Sequence, residues 1–230
     1  MVRRRLTVAS RGSQGAGTRR RGVESGSGGD VANPFPVLRW VWLAFFAVWA
    51  PTYWIYWKPT DFLYLCNLAV ILTCAGLWLP SRLLLSSQAV GMAVIGTLWT
   101  LDVACGAAMH GHLLIGGTEY MWDANYPLWL RLLSFDHLAV PLATLWAVRK
   151  VGYDRRAWIF QSGLAALVLV ASRFVAPGLD LNFAHRELLT YHTWGPPPVH
   201  LLVIWSVLVL VVYWPVHAVL CRMTRAGGDR

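Results

Sequence analysis

The sequence predicts an all-α, polytopic integral membrane protein: a bundle of six transmembrane helices with both termini in the cytoplasm. The first observation is the composition, because 57% of the residues are hydrophobic and only 13% are charged, far from the average of soluble domains. The second is the spacing of the apolar segments, and the third is the placement of basic residues between them. The 14 Trp residues agree with this class, since amphipathic indole rings favour the membrane interface.

The first 33 residues are rich in Arg, Gly and Ser and contain no apolar run. Such a segment cannot bury enough surface to fold, which predicts a disordered basic cytoplasmic tail over residues 1–33. An organellar transit peptide is the alternative, because no acidic residue precedes Glu24. A secretory or twin-arginine signal is not expected, since no apolar core follows either arginine cluster.

Six apolar segments follow, each of about the length needed to cross the hydrocarbon core of a bilayer. They are Val37–Trp57, Phe62–Leu79, Leu83–Val103, Leu130–Val148, Ala157–Val175 and Val199–Leu220. These segments predict a membrane domain over residues 34–222, with a short cytoplasmic tail over 223–230. The sequence shows no internal repeat, so an inverted-repeat transporter design has no visible support.

The basic residues are distributed unequally between the two sides of this bundle. Sixteen of the 20 basic residues belong to one side. They lie in the amino-terminal segment as far as Arg39, at Arg82, in the loop 149–156 and after the last span. The other side has only Lys58, Arg131, Arg173 and Arg186. The positive-inside rule therefore places both termini in the cytoplasm and the two long connections, 104–129 and 176–198, outside. This charge is a topology signal, so we expect no nucleic-acid partner. We expect the protein to lie in a bacterial inner (plasma) membrane.

Five of the six spans carry polar or ionisable residues at one depth, in the outer leaflet. Ionisable side chains are costly inside a membrane, so they usually face the bundle interior and mark functional sites. Each also has a structural interpretation: an ion pair between spans three and five, an interhelical hydrogen bond, or an interfacial histidine. In chain order the residues are Cys66, Asn67, Asp102, Asp136, His137, Arg173 and His200.

The fourth span carries the strongest of these signals, the adjacent pair Asp136 and His137. Pro141 has no N–H to give to the carbonyl of His137, which predicts a free acceptor and a kink beside the pair. Adjacent helical residues point about 100° apart. We therefore expect one of the pair to orient its neighbours and the other to act as a base towards another helix.

Two nucleophiles lie at the depth of that pair. Cys66 is the first candidate, because a thiol next to a base becomes a reactive thiolate, and Ser134 is the second. Asn67 follows Cys66 and is the expected amide donor to a developing oxyanion.

Metal, cofactor and disulfide sites are not predicted. The four Cys residues show no CxxC spacing, which argues against a disulfide framework or a zinc knuckle. His110 and His112, together with His185 or His192, are a weak metal alternative, because their spacing fits no standard zinc signature.

Three short motifs together resemble a known family. They are Leu65-Cys66-Asn67 on the second span, Ser134-Phe135-Asp136-His137 on the fourth, and Trp194-Gly195-Pro196 before the last. The pattern resembles the androgen-induced-gene type of multi-span membrane hydrolases, and the related six-span acyltransferase-like membrane proteins of bacteria and eukaryotes. This resemblance implies a compact helical bundle that hydrolyses or transfers acyl esters of membrane lipids. It implies Cys66 as the nucleophile and His137 as the base.

A function from another class is the alternative. The chain is then a non-catalytic membrane protein, either a small transporter or an accessory subunit. Its Asp and His residues, with Arg173, form a structural or proton-linked polar layer, because intramembrane Asp/His pairs also serve proton relays.

Overall fold

The computed structural model describes residues 33–109, 114–175, 178–187, 189 and 191–226. Nearly all of the predicted amino-terminal tail, the end of the carboxy-terminal tail, and His110 and His112 lie outside these residues. Within the described ranges the protein consists of helices and connecting turns and has no strand. The predicted all-α class is confirmed.

Eight α-helices form the described part of the fold, and in two places one helix continues directly into the next. A 3-10 turn, Leu133–Phe135, joins α4 to α5, and a π-helical segment, Leu208–Tyr213, joins α7 to α8. Three further 3-10 turns lie in the connections, at Pro59–Leu63, Glu119–Met121 and Leu181–Phe183. The helices are α1 Leu38–Tyr56, α2 Leu65–Trp78, α3 Arg82–Ala108, α4 Leu128–Leu132, α5 Asp136–Val151, α6 Ala157–Val175, α7 Pro197–Val207 and α8 Trp214–Ala226.

Every one of the six predicted apolar segments is mostly helical, and four of the resulting helices are long and apolar enough to cross a membrane. These four are Arg82–Ala108, Leu128–Val151, Ala157–Val175 and Pro197–Thr224. The structure therefore supports an integral membrane protein.

The second predicted span is shorter than expected. Pro59 opens a 3-10 turn that ends at Leu63, so α2 begins only at Leu65 and has 14 residues. At 1.5 Å per residue it is roughly 21 Å long, against about 30 Å of hydrocarbon. Helix α1 has 19 residues, with Pro51 inside it, and is not among the four membrane-length apolar helices.

Helix α3 is the central element of the fold, packed between α2, α5 and α6. One hydrophobic core lies on its α1, α2 and α5 side and includes Trp49, Leu77 and Val140. The second core includes Val90 and Tyr213 and joins α3 to α6 and the last helices. Because α3 contacts both cores, it holds the start of α5 in a fixed position relative to α2.

The closest approach between α3 and α5 occurs at Gly96. A Cβ added to Gly96 would overlap the backbone carbonyl oxygen of His137 and lie 2.7 Å from Cγ of Pro141. This is the carbonyl that Pro141, four residues on, cannot satisfy with an N–H. Since only a glycine leaves room here, α3 packs directly on the backbone of the Asp136–His137 turn.

Candidate active site

The pair Asp136 and His137 lies at the start of α5 and is buried: Asp136 is 2% exposed and His137 is 9% exposed. Nδ1 of His137 is 2.7 Å from Oδ1 of Asp136 and 3.0 Å from the carbonyl oxygen of Ser134. The 3-10 turn that precedes α5 brings both acceptors to one ring nitrogen. Because both partners are acceptors, Nδ1 carries the proton of the neutral ring, which leaves Nε2 as the basic nitrogen.

Cys66 lies next to this histidine. It is the second residue of α2 and is partly exposed, and its thiol is near enough to the His137 imidazole to interact with it electrostatically. The structure therefore brings together Cys66, His137 and Asp136, the three residues to which the sequence assigned nucleophile, base and orienting group. Ser134, the second candidate nucleophile, is 2% exposed, and its hydroxyl is 3.3 Å from that of Tyr53.

Aromatic residues that the sequence analysis did not select surround the pair. The ring of Trp99, on α3, stacks on His137 with centroids 4.7 Å apart and an interplanar angle of 21°. Its indole N–H donates to the Tyr120 hydroxyl at 3.2 Å. The Tyr53 hydroxyl lies in the same cluster through Ser134. Their positions carry no sequence signal, since Trp and Tyr are common throughout this chain.

Asn67 makes its closest side-chain contact with the backbone before α2. Its side-chain amide donates to the backbone carbonyl of Asp61 at 2.7 Å, which fixes the turn before α2. Its Oδ1 is 3.9 Å from the Cys66 sulfur. Asn67 is buried and positions the Cys66 turn, and its predicted role as an oxyanion donor stays a prediction.

Asn182 is a buried residue that the sequence analysis missed. Its Oδ1 accepts from the backbone N–H of Leu65 at 2.9 Å, and its Nδ2 donates to the Leu63 carbonyl at 2.9 Å and to Ser172 Oγ at 2.8 Å. It therefore supplies the amino-terminal cap that Tyr64 does not give to α2, next to Cys66. The positive φ of 55° at Asn182 is a conformation that Asn tolerates better than most residues.

Replacing Asn182 with alanine should destabilise the protein by roughly 1–3 kcal/mol, because buried polar groups of α2 and α6 lose their partner. Thermal unfolding in detergent measures this as a lower Tm. The control is Asn125→Ala, since Asn125 is exposed in the other long connection. An equal effect of the two substitutions would contradict the capping role.

Asp102 and Arg173 do not form the ion pair that was considered for them. Asp102, 1% exposed, accepts from the backbone N–H of Ile115 at 2.6 Å and of Gly116 at 3.2 Å, and from the Thr118 hydroxyl. It therefore anchors the connection after α3. The side chains of the two residues contact different loops.

Arg173 and His200 hold the second long connection. Nη1 of Arg173 donates to the Ala184 carbonyl at 3.1 Å and to Nδ1 of His185 at 2.7 Å. His200 is fully buried; it accepts from the Trp194 N–H and donates from Nε2 to the Phe183 carbonyl at 2.9 Å. Burial and the Arg173 charge lower the pKa of His185, which lies in the connection itself. These contacts give both residues a structural role.

No metal site is visible in the parts of the chain that the structure describes, where no three His, Cys, Asp or Glu side chains cluster closely enough to hold an ion. His185 and His192 lie in the described part of the second connection and belong to no such cluster. His110 and His112, the other half of the metal alternative, lie outside it.

Comparisons with protein-family models, with curated proteins and with solved structures found no match for this chain. The resemblance to the androgen-induced-gene-type hydrolases therefore stays a prediction. The chemistry of the cluster has to be inferred from its own residues: a thiol, an imidazole with one nitrogen held, and a buried carboxylate.

Proposed function

We propose that the protein is a membrane-embedded, thiol-dependent acyl hydrolase or acyltransferase that acts on membrane lipids. The single observation that carries this proposal is the Cys66 thiol lying beside an imidazole whose Nδ1 is fixed by Asp136 at 2.7 Å. A nucleophile, a base and a group that orients the base are the three parts that covalent acyl transfer needs. The resemblance of the second-span and fourth-span motifs to lipid hydrolases supports the same reaction.

In the proposed reaction, Nε2 of His137 accepts the proton of the Cys66 thiol as the sulfur attacks the carbonyl carbon of an acyl ester. The new C–S bond gives a tetrahedral oxyanion, which collapses as the ester C–O bond breaks. The imidazolium returns its proton to the leaving alcohol, and a thioester remains on Cys66. Water or a second alcohol then attacks the thioester with His137 again as the base, which regenerates the thiol. Asp136 stabilises the imidazolium in both half-reactions.

The oxyanion is expected to bind at the amino-terminal end of α2. The first N–H groups of a helix have no intrahelical partner, and the N–H of Leu65 is taken by Asn182. The backbone N–H groups of Cys66 and Asn67 are therefore the nearest donors to the reacting carbonyl, at the positive end of the helix dipole. This assignment replaces the Asn67 side chain, which is bonded to Asp61.

We further propose that α1 and α2 also cross the membrane, for six spans with both termini cytoplasmic, in a bacterial inner membrane. The support is the unequal placement of the basic residues and the helical structure of all six apolar segments. Because α2 is short, its outer end and Cys66 lie below the level reached by α3, open to lipid in the outer leaflet.

A topology reporter checks the six-span arrangement. Fusions at Asn125 and at the carboxy terminus should report opposite sides of the membrane, because three spans precede Asn125 and three follow it. A single-cysteine label at Thr224 on the cytoplasmic side serves as a second measurement. If Asn125 and the carboxy terminus report the same side, the number of spans between them is even, and the proposed topology is wrong.

A lipid-tailed electrophile that forms a covalent bond with thiols tests the proposed activity. We expect it to modify the protein at Cys66, as located by peptide mass spectrometry, and Cys66→Ser to remove the labelling. The control is Cys105→Ser, which should leave the labelling of Cys66 unchanged. Cys105 is also partly exposed and lies near the carboxy-terminal end of α3. Labelling of both cysteines at equal rates would show that His137 does not activate Cys66.

The non-catalytic alternative predicts a different result in such experiments. Asp102, Arg173 and His200 have structural contacts, which agree with either function, so the Asp136–His137 pair decides between them. A proton flux in liposomes that His137→Ala blocks, without any thiol labelling, would favour the proton-linked transporter.

A further inference from the structure

A second polar region lies at the opposite end of α3 from the Cys66 cluster. It is an open cleft of about 590 Å³ between the start of α3 and the loop before α6. Arg82, from the first turn of α3, and Arg155 and Arg156, from the loop, line it. Gly96, which contacts His137, is 14 residues along α3 from Arg82, or roughly 21 Å, so this cleft is separate from the candidate active site.

The cleft has a net positive charge. Arg156 makes two hydrogen bonds to the Asp154 carboxylate, at 3.2 and 2.9 Å, and these bonds keep the pKa of Asp154 below its usual value. Asp154 therefore neutralises one arginine. Arg82 donates to the Tyr153 carbonyl at the long distance of 3.5 Å, and Arg155 has no hydrogen bond or ion pair among the described residues. Two guanidinium groups remain available to an anion.

The backbone around the cleft also favours an anion. Helices α3 and α6 both begin beside the cleft, so the positive ends of their dipoles add to its charge. Gly152, with φ of 86°, lets the turn pass close to Arg82, since a Cβ would lie 2.8 Å from a guanidinium nitrogen. Arg82 is thus held beside the turn that carries Arg155 and Arg156, where planar guanidinium groups can bind phosphate oxygens in pairs.

Exposed apolar side chains adjoin this charged rim. Leu79, just before the cleft, is 71% exposed, and Ile159 and Phe160, in the first turn of α6, are 58% and 37% exposed. A free phosphate would leave these side chains unused. A ligand with a charged head and hydrocarbon tails would contact both parts.

We propose that this cleft, lined by Arg82, Arg155 and Arg156, is a binding site for the phosphate headgroup of an anionic phospholipid, with its acyl chains against Leu79, Ile159 and Phe160. The ligand belongs to the leaflet at this end of α3, which is the cytoplasmic leaflet in the proposed topology. The site does not depend on the acyl-transfer chemistry.

Delipidated protein in detergent, titrated with phospholipids and followed by native mass spectrometry, tests the site. We expect phosphatidylglycerol to bind about tenfold more tightly than phosphatidylcholine with the same chains, because only the first has a net negative headgroup. The double variant Arg82→Gln/Arg155→Gln should lose this difference. The matched control Arg149→Gln/Arg222→Gln removes two exposed arginines outside the cleft and should change the affinity less than twofold.

Further arms separate the other outcomes. Arg155→Gln alone removes no intramolecular bond, so its expected loss of about fivefold stays measurable if the double variant does not fold. Equal binding of the two lipids, or an equal loss in the control variant, would overturn the proposal. Full competition by millimolar inorganic phosphate would also overturn it, because the occupant would then be a soluble anion.

Discussion

The single variants Cys66→Ala and His137→Ala should each abolish acyl transfer, and the double variant should have no lower rate than either of them. The two residues act as one unit in the proposed reaction, and the effects of such residues are strongly non-additive. Loss of a positioned base alone lowers a rate by about 10²–10⁴-fold, so each single variant should fall by at least about 100-fold. The measurement is ester hydrolysis or acyl transfer by purified protein in lipid vesicles.

Two further variants sharpen this experiment. Cys105→Ala should keep full activity, because Cys105 lies outside the cluster of Cys66, His137 and Asp136. Asp136→Asn should be intermediate, since an amide can still accept from His137 but no longer stabilises the imidazolium by charge. Full activity in Cys66→Ala would remove the thiol mechanism and return Ser134 or the non-catalytic function. Circular dichroism and gel filtration should show the same folded state for all variants.

Gly96→Ala should destabilise the protein by at least about 1–3 kcal/mol. Its Cβ would overlap the His137 carbonyl oxygen and lie 2.7 Å from Pro141, and the overlapped atom is backbone, which cannot rotate away. Helices α3 and α5 must therefore separate, and His137 moves relative to Cys66. We expect a lower Tm in detergent and a loss of activity in the fraction that folds.

Gly163→Ala is the matched control for that substitution. Gly163 is also inside a long apolar helix, α6, but nothing lies within 4 Å of its Cβ position. Alanine is favoured over glycine within a helix by roughly 0.5–1 kcal/mol, so this variant should unfold at the same or a slightly higher temperature. The opposite signs of the two shifts are the test, and a shared sign would mean that Gly96 is not a contact point.

The helices were predictable from the sequence because hydrophobic length is a strong signal. Segments such as Ala157–Val175 have the same bounds in the sequence analysis and in the structure. The start of α2 was not predictable, because Pro59 is compatible with the first turn of either an α-helix or a 3-10 helix. Hydropathy alone cannot separate the apolar residues Phe62 and Leu63, which end the 3-10 turn, from the first turn of a span.

The side-chain contacts at the candidate site were not predictable from the spans alone. The positions of Asp102, Arg173 and His137 along their spans predict one level, but the rotation of each helix about its axis decides which neighbour a side chain contacts. Asp102 faces Thr118 and Arg173 faces His185 for this reason. The pair at Asp136 was predictable since its members are adjacent in the chain. Asn182 was not, because its partner Leu65 is 117 residues away.

The distance along the chain between Asn182 and Leu65 delays the capping of α2 during synthesis. At roughly 5–20 residues per second, the ribosome makes Asn182 about 6–23 s after Leu65. During that interval the first turn of α2 has no side-chain cap of its own, and its N–H groups have to donate to water or to the insertion machinery. The thiol of a nascent chain therefore remains on an unfinished helix until α6 and the loop behind it have emerged. The proposed nucleophile, Cys66, therefore lies at a fully capped helix end only after most of the bundle has been made.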